Sequence, residues 1–143
     1  MPTLRYVVVD VFTDAALAGN QLAVFTDARE LDAGLMQALA LELGFSETAF
    51  VLPGEADGQV RIRIFNPREE MAFAGHPVLG TAWVLAQPLQ RGVIELETGV
   101  GLVPVELDRG FARGWILLAT AYGIAASNGF VDGPLAANRL WAE

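Results

Sequence analysis

Gly75-His76-Pro77-Val78-Leu79-Gly80-Thr81-Ala82-Trp83-Val84-Leu85 is the stretch on which the fold turns. Proline suits the first turn of a helix, where its missing N–H costs nothing. The segment then runs through Leu79, Ala82, Trp83 and Leu85 until Pro88. Its apolar residues lie nearly all round the helix rather than along one stripe. Such a helix belongs inside a core, so other elements must wrap it. Strands are available on both sides. Leu4 to Phe12 is bulky and β-branched through Tyr6, Val7, Val8, Val9 and Val11, and it ends at Thr13-Asp14. Gly19-Asn20 is a turn pair, and Gln21 to Phe25 reads as a second strand. Thr48 to Leu52 is a strand stopped by Pro53-Gly54. Val60, Ile62 and Ile64 alternate with Gln59, Arg61 and Arg63, which puts the arginines on a wet face.

One further helix is written into local chemistry. Leu31, Leu35, Met36, Leu39, Ala40 and Leu43 recur at helical spacing; Asp32 is placed to cap the start, Leu31 and Met36 to staple it, and Gly44 to close it. Val93 to Leu96, Leu102 to Leu107 and Trp115 to Leu118 read as a closing meander, with turns at Thr98-Gly99 and at Asp108 to Gly114. Asp132 to Trp141 reads as a last short helix after a Ser127-Asn128-Gly129 turn. The order β-β-α-β-β-α-β-β-β predicts an α+β domain, a mostly antiparallel sheet wrapped around a central apolar helix.

Composition narrows the chemistry. The chain has 143 residues, room for one domain, and 53% of them are hydrophobic against 18% charged, which excludes a disordered segment. Its net charge of −8 repels a phosphate backbone, so no nucleic-acid partner is expected. No run approaches the ~18 apolar residues of a membrane span. Met1 to Arg5 lacks the pattern of a signal peptide, which makes the cytoplasm the expected location. With no Cys, disulfides, thiolate nucleophiles, iron–sulfur clusters and thiol-based racemases are excluded. All nine basic residues are Arg, so no Schiff-base lysine and no P-loop exist here. One His and two Ser, Ser46 and Ser127, leave little for a hydrolase triad. No pair of His or carboxylate residues has metal-ligand spacing, and no metal is expected.

Several motifs have plain readings. Gly99-Val100-Gly101 lacks the third glycine of a dinucleotide fingerprint and sits in a hairpin. Glu69-Glu70 are adjacent in an extended segment and point to opposite faces, which suits solvated charges. Arg61 and Arg63 suit either a substrate carboxylate or a solvated strand face. Two segments say more. In Phe45-Ser46-Glu47-Thr48-Ala49-Phe50 a carboxylate sits between two phenylalanines where a helix passes into an apolar strand. Burial beside aromatics raises a carboxyl pKa toward neutrality and suits a group that takes and returns a proton; the other reading is an ordinary strand-start Glu. In Phe73-Ala74-Gly75-His76-Pro77 a Gly–His turn opens the buried helix, so free N–H groups and the positive end of its dipole make a carboxylate or oxyanion site. His76 at its lip is either a cap or a functional group.

Taken together, Leu17-Ala18-Gly19-Asn20-Gln21-Leu22-Ala23-Val24-Phe25, Ser46-Glu47-Thr48-Ala49-Phe50-Val51, Ile62-Arg63-Ile64-Phe65 and Phe73-Ala74-Gly75-His76-Pro77-Val78-Leu79-Gly80-Thr81-Ala82 occur in the order of a known family. The chain resembles the amino-terminal lobe of the phenazine-biosynthesis isomerases (PhzF-like), which share the diaminopimelate-epimerase fold. The resemblance covers about residues 4–118 of a single lobe spanning 1–143, with 119–143 divergent. It implies two similar lobes with the active site between them, and a cofactor-free proton shift on a small amino- or hydroxy-carboxylic acid. By the same resemblance Glu47 is the acid/base, His76 helps to hold the substrate and Asn20 lies near the cleft; Glu47 and His76 are thus the expected catalytic residues, with Asn20, Ser46 and Gly75 the expected substrate-binding ones. Lack of Cys agrees with the glutamate-using branch.

The chain also departs from that family. Members carry a second lobe that adds an acidic residue and a T-G-S-x-x-G-P segment to the cleft. Ala126 to Ala136 is only loosely similar to that segment, and Gln21 stands where the family usually has Pro. A homodimer is therefore the expected way to complete the cleft. The alternative is a small-molecule-binding or interaction module that kept the fold without turnover.

Overall fold

The computed structural model describes residues 3–56, 59–89, 92–106, 116–125 and 130–132. β1 (Thr3–Val11) pairs antiparallel with β2 (Asn20–Phe25), and from there the chain crosses over. α1 (Ala33–Leu43) carries it back so that β3 (Glu47–Pro53) runs parallel to β2, since parallel neighbours need a long return. β4 (Val60–Phe65) is antiparallel to β3, and its far side is shared. Ile64 and Phe65 pair with β5 (Glu70–Met71), while Val60 and Arg61 pair in parallel with β6 (Val93–Thr98). The return between β4 and β6 passes through α2 (Gly75–Leu89). β7 (Gly101–Glu106) closes a hairpin with β6 around Gly99-Val100.

The expected α+β class and the wrapped apolar helix are what the structure shows; the expected meander is not. β8 (Ile116–Ala125) does not follow β7 in the sheet but lies antiparallel to β1, with β9 (Phe130–Asp132) outside it. The order among the described strands is β7-β6-β4-β3-β2-β1-β8-β9, with β5 beside β4. The reason is physical. Val9 and Val11 of β1 are fully buried, and a buried strand needs hydrogen-bond partners along both edges. β2 supplies one edge and β8 the other. Asp132 ends a strand rather than starting a helix; residues 133–141, and the turns expected at 108–114 and 127–129, lie outside the described residues. α2 also continues one residue past Pro88 to Leu89. Proline lacks the N–H that residue 88 would donate to the Val84 carbonyl, and the helix stops one residue later.

Period-two alternation gives the sheet two buried faces. Val9, Val11, Leu22, Val24, Ala49, Val51, Ile62 and Ile64 turn toward α2, which contributes Val78, Ala82, Trp83 and Ala86. α2 lies so close that a Cβ built on Gly80 would fall 2.6 Å from Leu22 Cδ2 and 2.9 Å from Val11 Cγ2. On the opposite face Tyr6, Phe25, Phe50 and Phe65 form a ladder across four strands, covered by Met36 and Ala40 of α1. Tyr6 stacks on Phe25 at 5.0 Å and Phe25 on Phe50 at 4.7 Å, and Phe65 meets Phe50 edge-on at 5.5 Å. α1 has the expected ends: Asp32 accepts the Leu35 N–H at 2.8 Å, and Gly44 adopts φ 68° while donating to Ala40 O. Its buried stripe is narrower than the sequence pattern, because Leu35 is 41% exposed. No helix among the described residues is long and apolar enough to cross a membrane.

Candidate active site

Parallel pairing brings the first residues of β2 and β3 to the same end of the sheet. Asn20 opens one strand, Glu47 opens the other, and Ser46 precedes Glu47. The crossover through α2 delivers the start of that helix to the same end, with His76 as its second residue. The four side chains meet there. His76 Nδ1 lies 2.8 Å from Glu47 Oε2, His76 Nε2 lies 3.2 Å from the Asn20 carbonyl oxygen, and Ser46 Oγ donates to Asn20 Oδ1 at 3.1 Å. His76 is 8% exposed and the Glu47 side chain 20%.

The hydrogen-bond roles follow from what each atom is able to do. A backbone carbonyl only accepts, so Nε2 carries the hydrogen that points at Asn20. Nδ1 then faces a carboxyl oxygen at hydrogen-bond distance. A bare nitrogen lone pair against a carboxylate would repel it, so one proton lies between Nδ1 and Oε2. Among the described residues Glu47 Oε1 has no hydrogen-bond partner, and it is the oxygen free to face a ligand. Beside it, the first-turn N–H groups of Gly75 and His76 have no intrahelical acceptor. Gly75 is exposed, and a Cβ built there meets nothing within 4 Å, which leaves room for an anion.

The five residues singled out from sequence are thus in one place, with two revisions. Glu47 is not enclosed by its flanking phenylalanines. Alternation sends Phe50 into the α1-side cluster, against which Phe45 packs, and what Glu47 meets instead is His76. His76 does not cap α2 with its ring; both ring nitrogens are spent on Glu47 and Asn20. The other charged motifs serve the sheet. Arg63 grips Glu70 with two bonds of 2.6 Å, Arg61 lies 3.6 Å from Glu97 on the neighbouring strand, and the Arg63 guanidinium sits 5.2 Å over the Phe65 ring. Glu70 is therefore paired rather than merely solvated. The Arg63 hydrogen bonds hold its carboxyl below the usual carboxylate range, and Glu70 in turn raises the guanidinium. The described residues contain no group of three or more His, Cys, Asp or Glu placed to hold a metal ion.

Sequence reasoning missed two residues at this end of the sheet. The Phe12 ring is 6.2 Å from the His76 ring and tilted by 44°. Asp10, 3% exposed, accepts the Leu17 N–H at 2.8 Å. The signal for Asp10 was present: an acid inside Val7-Val8-Val9-Asp10-Val11 needs a partner when the strand is buried.

The family described as phenazine biosynthesis-like protein (PhzC-PhzF) matches residues 9–125. The trans-2,3-dihydro-3-hydroxyanthranilate isomerase of Pseudomonas aeruginosa is 48% identical over 105 residues, 73% of this chain and 38% of that protein. The crystal structure of a Bacillus anthracis phenazine biosynthesis protein of the PhzF family superposes with a TM-score of 0.69 at 29% identity, over 86% of this chain and 40% of the other. A hydroxyproline epimerase from Agrobacterium vitis shares the fold alone, with a TM-score of 0.50 at 17% identity over 74% of this chain and 39% of that one. The chain therefore spans about two fifths of the length of the relatives it matches.

Proposed function

The chain belongs to the phenazine biosynthesis-like family, and on that premise we propose that it is the proton-transfer lobe of a cytoplasmic, cofactor-independent isomerase or epimerase. Its substrate is a small amino- or hydroxy-carboxylic acid. The observation that carries the reading is the 2.8 Å contact between Glu47 and His76 beside an open helix start. With the shared proton on Nδ1, Glu47 is a carboxylate and Oε1 takes a proton from a substrate carbon. That C–H bond breaks, its electron pair delocalises into the substrate's own unsaturated or carboxylate system, and an O–H bond forms on Glu47. While it rests on Glu47 this acidic proton exchanges with solvent; Glu47 then delivers a proton to a different carbon, or to the other face of the same carbon, and is regenerated as carboxylate. His76 holds Oε2 throughout, and the N–H groups of Gly75 and His76 receive the substrate carboxylate.

The name of the Pseudomonas aeruginosa relative, trans-2,3-dihydro-3-hydroxyanthranilate isomerase, supports a substrate of that class. The remaining wall of the cleft comes from a second copy of the chain. Phe12 and Leu17, in the loop that leads to Asn20, are 49% and 80% exposed, and covering such side chains favours association. The test is solvent exchange. Amino- and hydroxy-carboxylic acids are incubated with the protein in D₂O, and one of them is expected to gain deuterium at carbon. Glu47→Gln is expected to remove the exchange by about 10²–10⁴-fold without unfolding. A folded E47Q protein that keeps more than about a tenth of the rate defeats the assignment, since it would leave the acid/base unidentified. Binding of a carboxylic acid without any exchange in the parent protein would favour the module without turnover.

A further inference from the structure

Asp10 is a carboxylate that the chemistry above does not use. It is buried within a valine-rich strand, and a buried charge persists only where hydrogen bonds hold it. Its carboxylate accepts the Leu17 N–H at 2.8 Å, which ties the loop between β1 and β2 back onto the strand it has just left. Three observations show that this loop is tightly held. Phe12 and Leu17 adopt φ of 63° and 65°, a left-handed conformation that residues with side chains keep only when their surroundings impose it. Thr13 Oγ1 both donates to the Ala15 carbonyl and accepts the Ala15 N–H, each at 3.0 Å. Gly19 is pressed so close that a Cβ would fall 2.5 Å from Thr13 Cγ2 and 2.6 Å from the Val11 carbonyl oxygen. The next residue is Asn20, whose carbonyl receives His76 Nε2–H. The loop thus bears on one imidazole twice, through the Asn20 carbonyl and through the Phe12 ring.

We propose that Asp10 is a positioning residue for His76. By fastening Leu17 it folds residues 12–19 so that the Asn20 carbonyl faces Nε2, and this decides which imidazole nitrogen carries the fixed hydrogen and which shares a proton with Glu47. Asp10 touches no reacting atom. The inference deepens the functional reading by naming what orients its histidine, but its readout is the imidazole and not turnover, so either one fails without the other.

The chain has a single histidine, so one imidazole appears in a ¹⁵N–¹H long-range spectrum of the labelled full-length protein. In the parent the expected pattern is Nε2 protonated, with its hydrogen exchanging slowly. In Asp10→Ala the Nε2–H is expected to exchange about tenfold faster or more, the worth of one buried hydrogen bond, and the two nitrogen shifts move toward each other. Asp10→Asn keeps an oxygen that accepts the Leu17 N–H and is expected to restore the parent pattern. A folded D10A protein with an unchanged imidazole overturns the proposal, and so does a folded D10N protein that fails to restore it. Should D10A not fold, the parent decides: the Leu17 amide and His76 Nε2–H must lose protection together as denaturant rises below the unfolding transition. Separate openings overturn the link.

Discussion

At the scale of the residue, His76 is engaged on both sides: Nε2 on the Asn20 carbonyl, Nδ1 on Glu47. Removing the ring frees Oε2 and empties a buried space, yet it leaves the sheet and its ladder intact. His76→Ala is therefore expected to cost about 1–3 kcal/mol of stability, seen as a shifted denaturation midpoint. The loss in substrate binding and deuterium exchange should be larger, beyond about a hundredfold. A variant whose exchange stays within about tenfold of the parent would return His76 to a structural role. Glu47 and His76 were readable one at a time, because a Glu opening an apolar strand and a His opening an apolar helix each break a local pattern. Their contact was not readable. It joins residues 29 apart, and it depends on a strand register and a crossover that no local pattern specifies. Flanking phenylalanines suggested a hydrophobic setting for Glu47, but alternation along the strand turns Phe50 away from it.

At the scale of the element, α1 was readable end to end because caps are local chemistry, with Asp32 reaching the Leu35 N–H and Gly44 taking the left-handed turn. β5 was not, since two residues become a strand only by lying beside Ile64 and Phe65. The partner of β8 was equally hidden, for an apolar strand does not announce which edge it will join. α2 offers a packing test. Alanine at Gly80 improves helix propensity by up to about 1 kcal/mol. Its methyl group, however, would drive into Leu22 and Val11, both fully buried, and such overpacking costs about 1–3 kcal/mol. Gly80→Ala is expected to lower the melting temperature, and a rise would show that α2 rides more loosely on β1 and β2 than its distances imply. The Arg63–Glu70 pair offers a pH test. Arg63 depresses the Glu70 carboxyl, so its contribution is present above the ordinary value of 4.5 and is lost as pH falls through the lowered one. Glu70→Gln is expected to cost roughly 0.2–1 kcal/mol at pH 7, a small effect because the Glu70 side chain is 42% exposed and screened. The gap from the parent should close as pH falls below 4.5 and through the lowered value, as urea midpoints measured across pH would show; a gap that widens on acidification contradicts the assignment.

At the scale of the molecule, the described residues leave Gly75 exposed beside the Glu47–His76 pair, and members of the family are expected to cover the site with a second lobe. A second copy of this chain is the proposed substitute, and light scattering at micromolar concentration should then give a mass near twice 15.3 kDa. A monomer would remove the second wall and shift the reading toward a module that binds without turning over. By sequence, the apolar strand Trp115 to Leu118 and the tail around Leu140 and Trp141 are the candidate interface groups. β8 includes residues 116–118 as backbone, but their side chains and residues 115, 140 and 141 lie outside the described residues.

The site is built from beginnings: Asn20 starts β2, Glu47 starts β3, and Gly75 and His76 start α2. Whatever lies at the finishing ends of those elements is remote from the chemistry along the whole length of a strand or helix. The turn between β3 and β4, where Gly54 N–H bonds the Gln59 carbonyl, is such a finishing end. Foreign sequence spliced between Gly54 and Gln59 would meet the sheet only at its far rim, so a reporter domain carried there should leave the imidazole spectrum of His76 unaltered. The protein thus has a working end and, at the opposite rim, a handle that offers an attachment point.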